Sequence, residues 1–193
     1  MHERLLRKRI EKGRVSDMDI LIRPEISTDF ARVYEVVQAA FFGAAHTNHD
    51  EQNLVVRLRK SMAFVPGLSL VAVVNEQIVG HILFTKIKIK NHNAEYTSLV
   101  LAPLAVLPEV QGKGIGGKLI LAGHKIALEL GFSSVILVGY PEYYPRFGYV
   151  PAKCFGITAP FPISDEVFMA CQLTPHALAG VKGIVEFPGE FSN

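Results

Sequence analysis

Four glycines fall within six positions, Gly112, Gly114, Gly116 and Gly117, between an apolar run that ends at Pro108 and a helical pattern that runs from Lys118 to Leu130. Glycines at a helix mouth let backbone approach a ligand without Cβ atoms in the way. The free N–H groups of the first helical turn then face an anion, and the helix dipole favours negative charge there. Lys113 and Lys118 add positive charge beside them. This is the chemistry of a pyrophosphate cradle. Gly112-x-Gly114-x-x-Gly117 also matches a dinucleotide fingerprint, which expects an acid about 20 residues on, at the end of the next strand. The next strand pattern is 134–138, and the first acid after it is Glu142. A Walker loop is excluded, because Leu119 follows Gly117-Lys118 where Ser or Thr is required.

A second cluster is aromatic. Tyr143-Tyr-Pro-Arg-Phe-Gly-Tyr149 packs four rings around a proline and a glycine. A tyrosine hydroxyl, with pKa about 10, can donate a proton at neutral pH. Two histidines and a glutamate, His46, His49 and Glu51, lie in a polar loop that opens a helix. Asp50 and Glu51 also suit a helix N-terminus electrostatically.

Val106, four residues, then Gln111-Gly-Lys-Gly114-Ile-Gly116 resembles the V-x-x-x-x-Q/R-x-x-G-x-G/A signature of the GNAT superfamily of N-acetyltransferases. Tyr144, three residues before Gly148-Tyr149, is similar to that family's second signature. With Ala102-Pro-Leu-Ala-Val106, the aromatic string resembles the YhbS-like branch of predicted bacterial acetyltransferases, over about 20–191. The resemblance implies an α/β (α+β) fold: a mixed, mostly antiparallel central sheet flanked by helices, with splayed strands forming a CoA cleft. It implies acetyl-CoA as co-substrate and no metal. Backbone groups of Leu104, Ala105 and Val106 would pair with the pantetheine amides. Gln111, Gly112, Lys113, Gly114, Ile115, Gly116 and Gly117 would hold the pyrophosphate, with Phe147 also on the cofactor side. Tyr144 would act as the acid at the CoA sulfur. His46, His49 and Glu51 would border the acceptor site.

The implied reaction is acetyl transfer to an amine of a small molecule or peptide. A primary amine of pKa about 10.4 must first lose a proton, which costs roughly 4–5 kcal/mol at pH 7 unless the site helps. Some family members carry a glutamate on the central strand, four residues before the position of Leu104; here that position is Val100. The base is therefore expected from Glu51, His49 or a water relay. The alternative is a CoA-binding sensor or interaction module without catalysis, which the valine permits and Tyr144 argues against.

Composition frames these elements. The chain has 193 residues, 49% of them hydrophobic and 20% charged, with a formal charge of +2. That is globular, and too weakly basic to indicate nucleic acid. Six basic residues against two acidic ones in 1–16 carry +4, so the rest sums to −2. Residues 1–17 read as a flexible basic leader and 18–193 as a single domain. No apolar stretch is long enough for a membrane span. Cys154 and Cys171, without metal spacing, read as buried thiols in a reducing compartment, the cytoplasm. Strands are expected at 20–23, 68–74, 78–90, 95–107, 134–138, 154–158 and 168–173, with a C-terminal strand or arm at 183–187. That arm is the segment that would pair between subunits in a homodimer. Helices are expected from Ser27 or Thr28 to Phe41, and from Asp50 onward carrying Leu54, Val55 and Leu58 inward. In the helix after the cradle, Leu119, Ile120, Ile126, Ala127 and Leu130 are expected inside, and His124 at the surface.

Overall fold

The structure, a computed structural model, describes residues 19–44 and 47–192. The basic leader and His46 lie outside these described residues.

Among the described residues, nine strands form one sheet in the order β1-β2-β3-β4-β5-β8-β6, with β9 pairing β3 and β7. They are β1 (Leu21–Pro24), β2 (Phe64–Val74), β3 (Gln77–Lys90), β4 (Glu95–Val106), β5 (Ser134–Val138), β6 (Val150–Pro151), β7 (Ile157–Thr158), β8 (Phe168–Gln172) and β9 (Gly183–Glu186). Only β4–β5 and β7–β9 are parallel. Hairpin β2–β3 turns on Asn75 and Glu76, both at positive φ, as a two-residue hairpin turn requires. In β3, Lys86, Lys88 and Lys90 alternate with buried Ile87 and Ile89, the expected half-buried strand pattern.

Three helices cover the sheet: α1 (Phe30–Phe41), α2 (Glu51–Leu58) and α3 (Ile115–Glu129). Helix α1 buries Val33, Val36 and Val37 against Val71 and Leu83 of the sheet. Its entry is not held by Ser27 or Thr28. The Asp29 carboxylate accepts the Ile26 N–H at 2.8 Å and pairs with Arg23 at 2.6 Å, and the hydrogen bonds from Arg23 lead in holding its pKa low. Helix α3 lies on the opposite face, with Leu119, Ile120 and Ala127 buried among Leu99, Leu101 and Phe84. It starts three residues earlier than the apolar pattern indicates. Leu130, expected inside, is half exposed because the helix has already ended at Glu129.

The stretch 154–158 is not a continuous strand. Ala152–Phe155 forms a 3-10 turn, and only Ile157 and Thr158 join the sheet. The two-residue β6 escaped the sequence reading, since two residues have no periodicity. Cys154 is exposed rather than buried; Cys171 is buried, and burial raises its thiol pKa to about 11.

Beneath α1 and α2, the sheet encloses a polar cluster. Arg59 and Glu25 form a buried ion pair at 2.7 Å, and Ser69 Oγ donates to Glu25 at 2.6 Å. With that proton committed, His81 Nε2–H donates to Ser69 Oγ at 3.0 Å, which leaves Nδ1 buried and without a partner. Burial lowers the His81 pKa to about 4, against an opposing pull from Glu25. The unfolded chain therefore binds a proton at this site below about pH 6.5 that the folded chain refuses until about pH 4. The stabilisation is complete above the unfolded pKa and is lost as pH falls through that window. On the order of 3 kcal/mol should disappear between about pH 7.5 and about pH 4.5. Urea melts at the two pH values should show the loss, and His81→Gln, which keeps the donor and cannot titrate, should show a shallower one.

Candidate active site

The site begins where two strands part. β4 and β5 share only Leu99↔Val135 and Val100↔Ile136. Beyond them β4 stays paired with β3 as far as Val106, while β5 stays paired with β8 as far as Val138. The β4 edge at Leu104–Val106 therefore has no strand beside it on the β5 side. One of its groups is already used: Gln111 Nε2 donates to the Val106 carbonyl at 3.0 Å, which ties the glycine turn back to the strand.

The turn then delivers α3. Gly112 (φ 74°) and Gly114 (φ 80°) adopt the left-handed conformation, and a Cβ at either would meet nothing within 4 Å. These glycines are needed for backbone shape, not for space. Gly114 caps α3 without any side chain. The first helical hydrogen bond runs from Lys118 N–H to Gly114 O at 3.1 Å, so the N–H groups of Ile115, Gly116 and Gly117 lack helical acceptors. Ile115 is buried in the core and can offer a ligand only its N–H. Gln111, Lys113 and Lys118 are exposed around the turn.

The aromatic block covers the far side. Tyr144–Phe147 form a 3-10 turn ended by Gly148 at φ 87°. The structure separates the two adjacent tyrosines. A Cβ on Gly116 would fall 2.7 Å from the Tyr143 hydroxyl, and one on Gly117 would fall 3.2 Å from the Phe147 ring. Tyr143 and Phe147 thus rest on the first turn of α3. Tyr144 lies at the end of β5, where a Cβ on Gly139 would fall 2.2 Å from its ring. It is 8% exposed, and burial, then Tyr143 and Tyr140, raises its pKa. That Tyr143 touches the glycine turn was not legible, because nothing in its spacing distinguishes it from its neighbour; the Arg146 guanidinium lies 4.8 Å from its ring centre.

His49 and Glu51 share one loop. His49 is exposed at φ 59°, with Nδ1 2.9 Å from the Phe41 carbonyl. Glu51 Oε1 accepts from Thr47 Oγ1, while Oε2 is buried and has no partner among the described residues. Neither residue lines the large cavity of about 920 Å³ on the other side of the β4–β5 mouth, whose walls include Val100, Ala102, Val138 and Phe161. Among the described residues no three His, Cys, Asp or Glu side chains group to hold a metal, and no helix is long and apolar enough to cross a membrane.

A splayed parallel pair, a glycine turn and an uncapped helix define an acetyltransferase of the GNAT type, and the chain belongs to that family: the acetyltransferase (GNAT) domain model matches residues 22–152. The N-acetyltransferase YhbS of Escherichia coli is 30% identical over 90% of this chain and 99% of its own. Its structure in complex with CoA superposes with TM-score 0.82 at 27% identity, covering 94% and 96% of the two chains. A GNAT family acetyltransferase from Brucella melitensis in complex with acetyl-CoA gives TM-score 0.74 at 32% identity over 91% of this chain and 99% of that one. The N-acetyltransferase YjhQ of Escherichia coli is 42% identical over 60% of this chain; the match spans 65% of YjhQ, just under two thirds.

His124, expected at the surface, is half buried under the aromatic block. Its Nε2 lies 2.9 Å from the buried Tyr149 hydroxyl, and burial lowers its pKa to about 4. Tyr149 in turn packs edge-on against Tyr144. Tyr149→Phe keeps the ring and deletes the bond, and denaturant melts at pH 7 should show a loss of about 1–2 kcal/mol.

Proposed function

We propose that this chain transfers an acetyl group from acetyl-CoA to an amine. The observation that carries the reading is the uncapped α3 N-terminus set beside the open β4 edge. The turn from Gln111 to Gly117, through its backbone N–H groups, takes the pyrophosphate. Lys113 and Lys118 add charge from outside, and Phe147 closes the first turn. The Leu104 backbone offers the pantetheine arm the edge that β5 has left, Ala105 turns its own groups to His81 of β3, and the Val106 carbonyl must be shared with Gln111.

Tyr144 acts at the sulfur. Burial keeps its hydroxyl protonated, so it enters as a neutral donor. A phenol above the pKa of a thiol does not hand over its proton downhill; it stabilises the departing sulfur by the hydrogen bond it donates as the C–S bond lengthens. Val100 supplies no base. Glu51, whose Oε2 is buried and without a partner among the described residues, and the Nε2 of His49 are the groups we assign to proton removal, through a water relay because neither lines the cavity. The unbridged, buried Cys171 thiol supports a reducing compartment, the cytoplasm.

Calorimetric titration with acetyl-CoA tests the first half. Gly114→Asp meets no steric obstacle, costs about 1–2 kcal/mol of backbone strain, and sets a carboxylate where the pyrophosphate would bind. Affinity should fall about 100-fold, with the fold retained; an unchanged affinity would remove the cradle. Free-thiol release in the presence of amines tests the second half. Tyr144→Phe should lower kcat about 100-fold with little change in KM for acetyl-CoA. Tight binding without turnover on any amine would identify a sensor instead.

A further inference from the structure

The cavity beyond the β4–β5 mouth has a composition that restricts what it can hold. Its inner end is formed by Leu101, Ala102 and Val138, the residues just past the last β4–β5 ladder pair. It therefore opens onto the splay where the thioester would lie. One wall is aromatic. Phe161 stacks on Phe187 with ring centres 5.9 Å apart at 25°, and Phe187 meets Phe191 at 5.4 Å. Phe161 is 47% exposed, a large apolar face with room for a further ring against it. The volume of about 920 Å³ lies within the range that holds small organic ligands.

Charge narrows the choice. The described lining has one carboxylate, Glu186, and one ammonium, Lys90, and these are paired with each other at 2.9 Å. Lys90 is also held by Glu95 at 3.1 Å. Among the described residues, the other ionisable lining group is His92, beside Lys90 at the outer end. A polyamine would need several unpaired carboxylates, and a phosphorylated or carboxylated acceptor would need an unpaired cation. Among the described residues, the cavity supplies neither.

We propose that the acceptor is an arylalkylamine: one primary amine on a short chain from an aromatic ring that stacks in the Phe161–Phe187–Phe191 corner. The assignment rests on the acetyl-transfer reading. The amine nitrogen, deprotonated, reaches the mouth at Ala102 and Val138 and bonds to the thioester carbon. The C–S bond breaks with its electron pair on sulfur. Of the two protons the ammonium gives up, one ends on the CoA thiol and one in solvent. The products are the N-acetyl amine and CoA.

The chain contains no tryptophan, so an indole ligand can be followed without protein background. Tryptamine fluorescence anisotropy, titrated with protein and CoA, should show saturable binding that spermidine and glutamate do not displace. Phe161→Ser, at a half-exposed loop position, should weaken tryptamine at least about tenfold and leave acetyl-CoA affinity unchanged. Val138→Phe, which fills the inner end from an exposed position, should also weaken tryptamine at least about tenfold. In thiol-release assays tryptamine and phenethylamine should outpace spermidine and lysine by at least about tenfold. Faster transfer to spermidine or lysine, or tryptamine binding indifferent to both substitutions, overturns the acceptor class and leaves acetyl transfer standing. Tryptamine binding in a protein that does not bind acetyl-CoA overturns acetyl transfer and keeps the aromatic site.

Discussion

Two ladder pairs hold this sheet together at its centre. Everything on one side is anchored through β4 to β3 and β2, and everything on the other through β5 to β8. Leu99↔Val135 and Val100↔Ile136 are the only parallel pairing between the halves. Burying unpaired backbone is costly, so a strand edge left open in the middle of a covered sheet needs another partner. The protein supplies part of that need itself, through the Gln111 side chain on the Val106 carbonyl. The rest of the edge is the surface on which the proposed cofactor arm lies.

The opening also depends on a change of parity in β4. Ile82 faces Leu104 and Phe84 faces Leu101, so β4 carries one residue more than β3 across this interval, at Ala102–Pro103. Before the bulge, Leu99 and Leu101 pack toward α3, while Val100 and Ala102 turn to the other face. After it, Leu104 and Val106 pack toward α3, and Ala105 joins the layer beneath α1 and α2. A single inserted residue thus moves the alternation by one, as a slip in register would. Both sides of β4 then serve the site: one leads into the glycine turn, the other floors the aromatic cavity.

How much of this the sequence revealed follows from distance along the chain. The glycine turn, its lysines and the strand before it are contiguous, and their chemistry could be read from spacing. Pro103, which cannot donate to a ladder, sits in the bulge itself. The cavity was not readable. Its walls come from β4, from Phe161 and from the C-terminal segment through Phe191, which no local pattern connects. His124 was misplaced because the ring that receives it, Tyr149, arrives from another element. Val-Pro at 150–151 and the 3-10 turn after it are set by what they pack against, not by periodicity.

The same layout limits how the acceptor amine can lose its proton. Val100 lies on the cavity floor and carries no group that can take a proton. The most deeply buried imidazole, His81, is sealed beneath α1 and α2 with its lone pair facing protein, and the half-buried His124 is engaged with Tyr149. Neither lines the cavity. In the proposed reaction, then, neither of these two imidazoles stands beside the nucleophile. Most of the roughly 4–5 kcal/mol needed to deprotonate a free amine must be offset by the apolar walls, which disfavour its ammonium form, and by proton release to solvent or to the Thr47–Glu51 loop. An aromatic acceptor body suits such a site: the ring supplies binding energy at one end of the cavity that holds the nitrogen in place at the other.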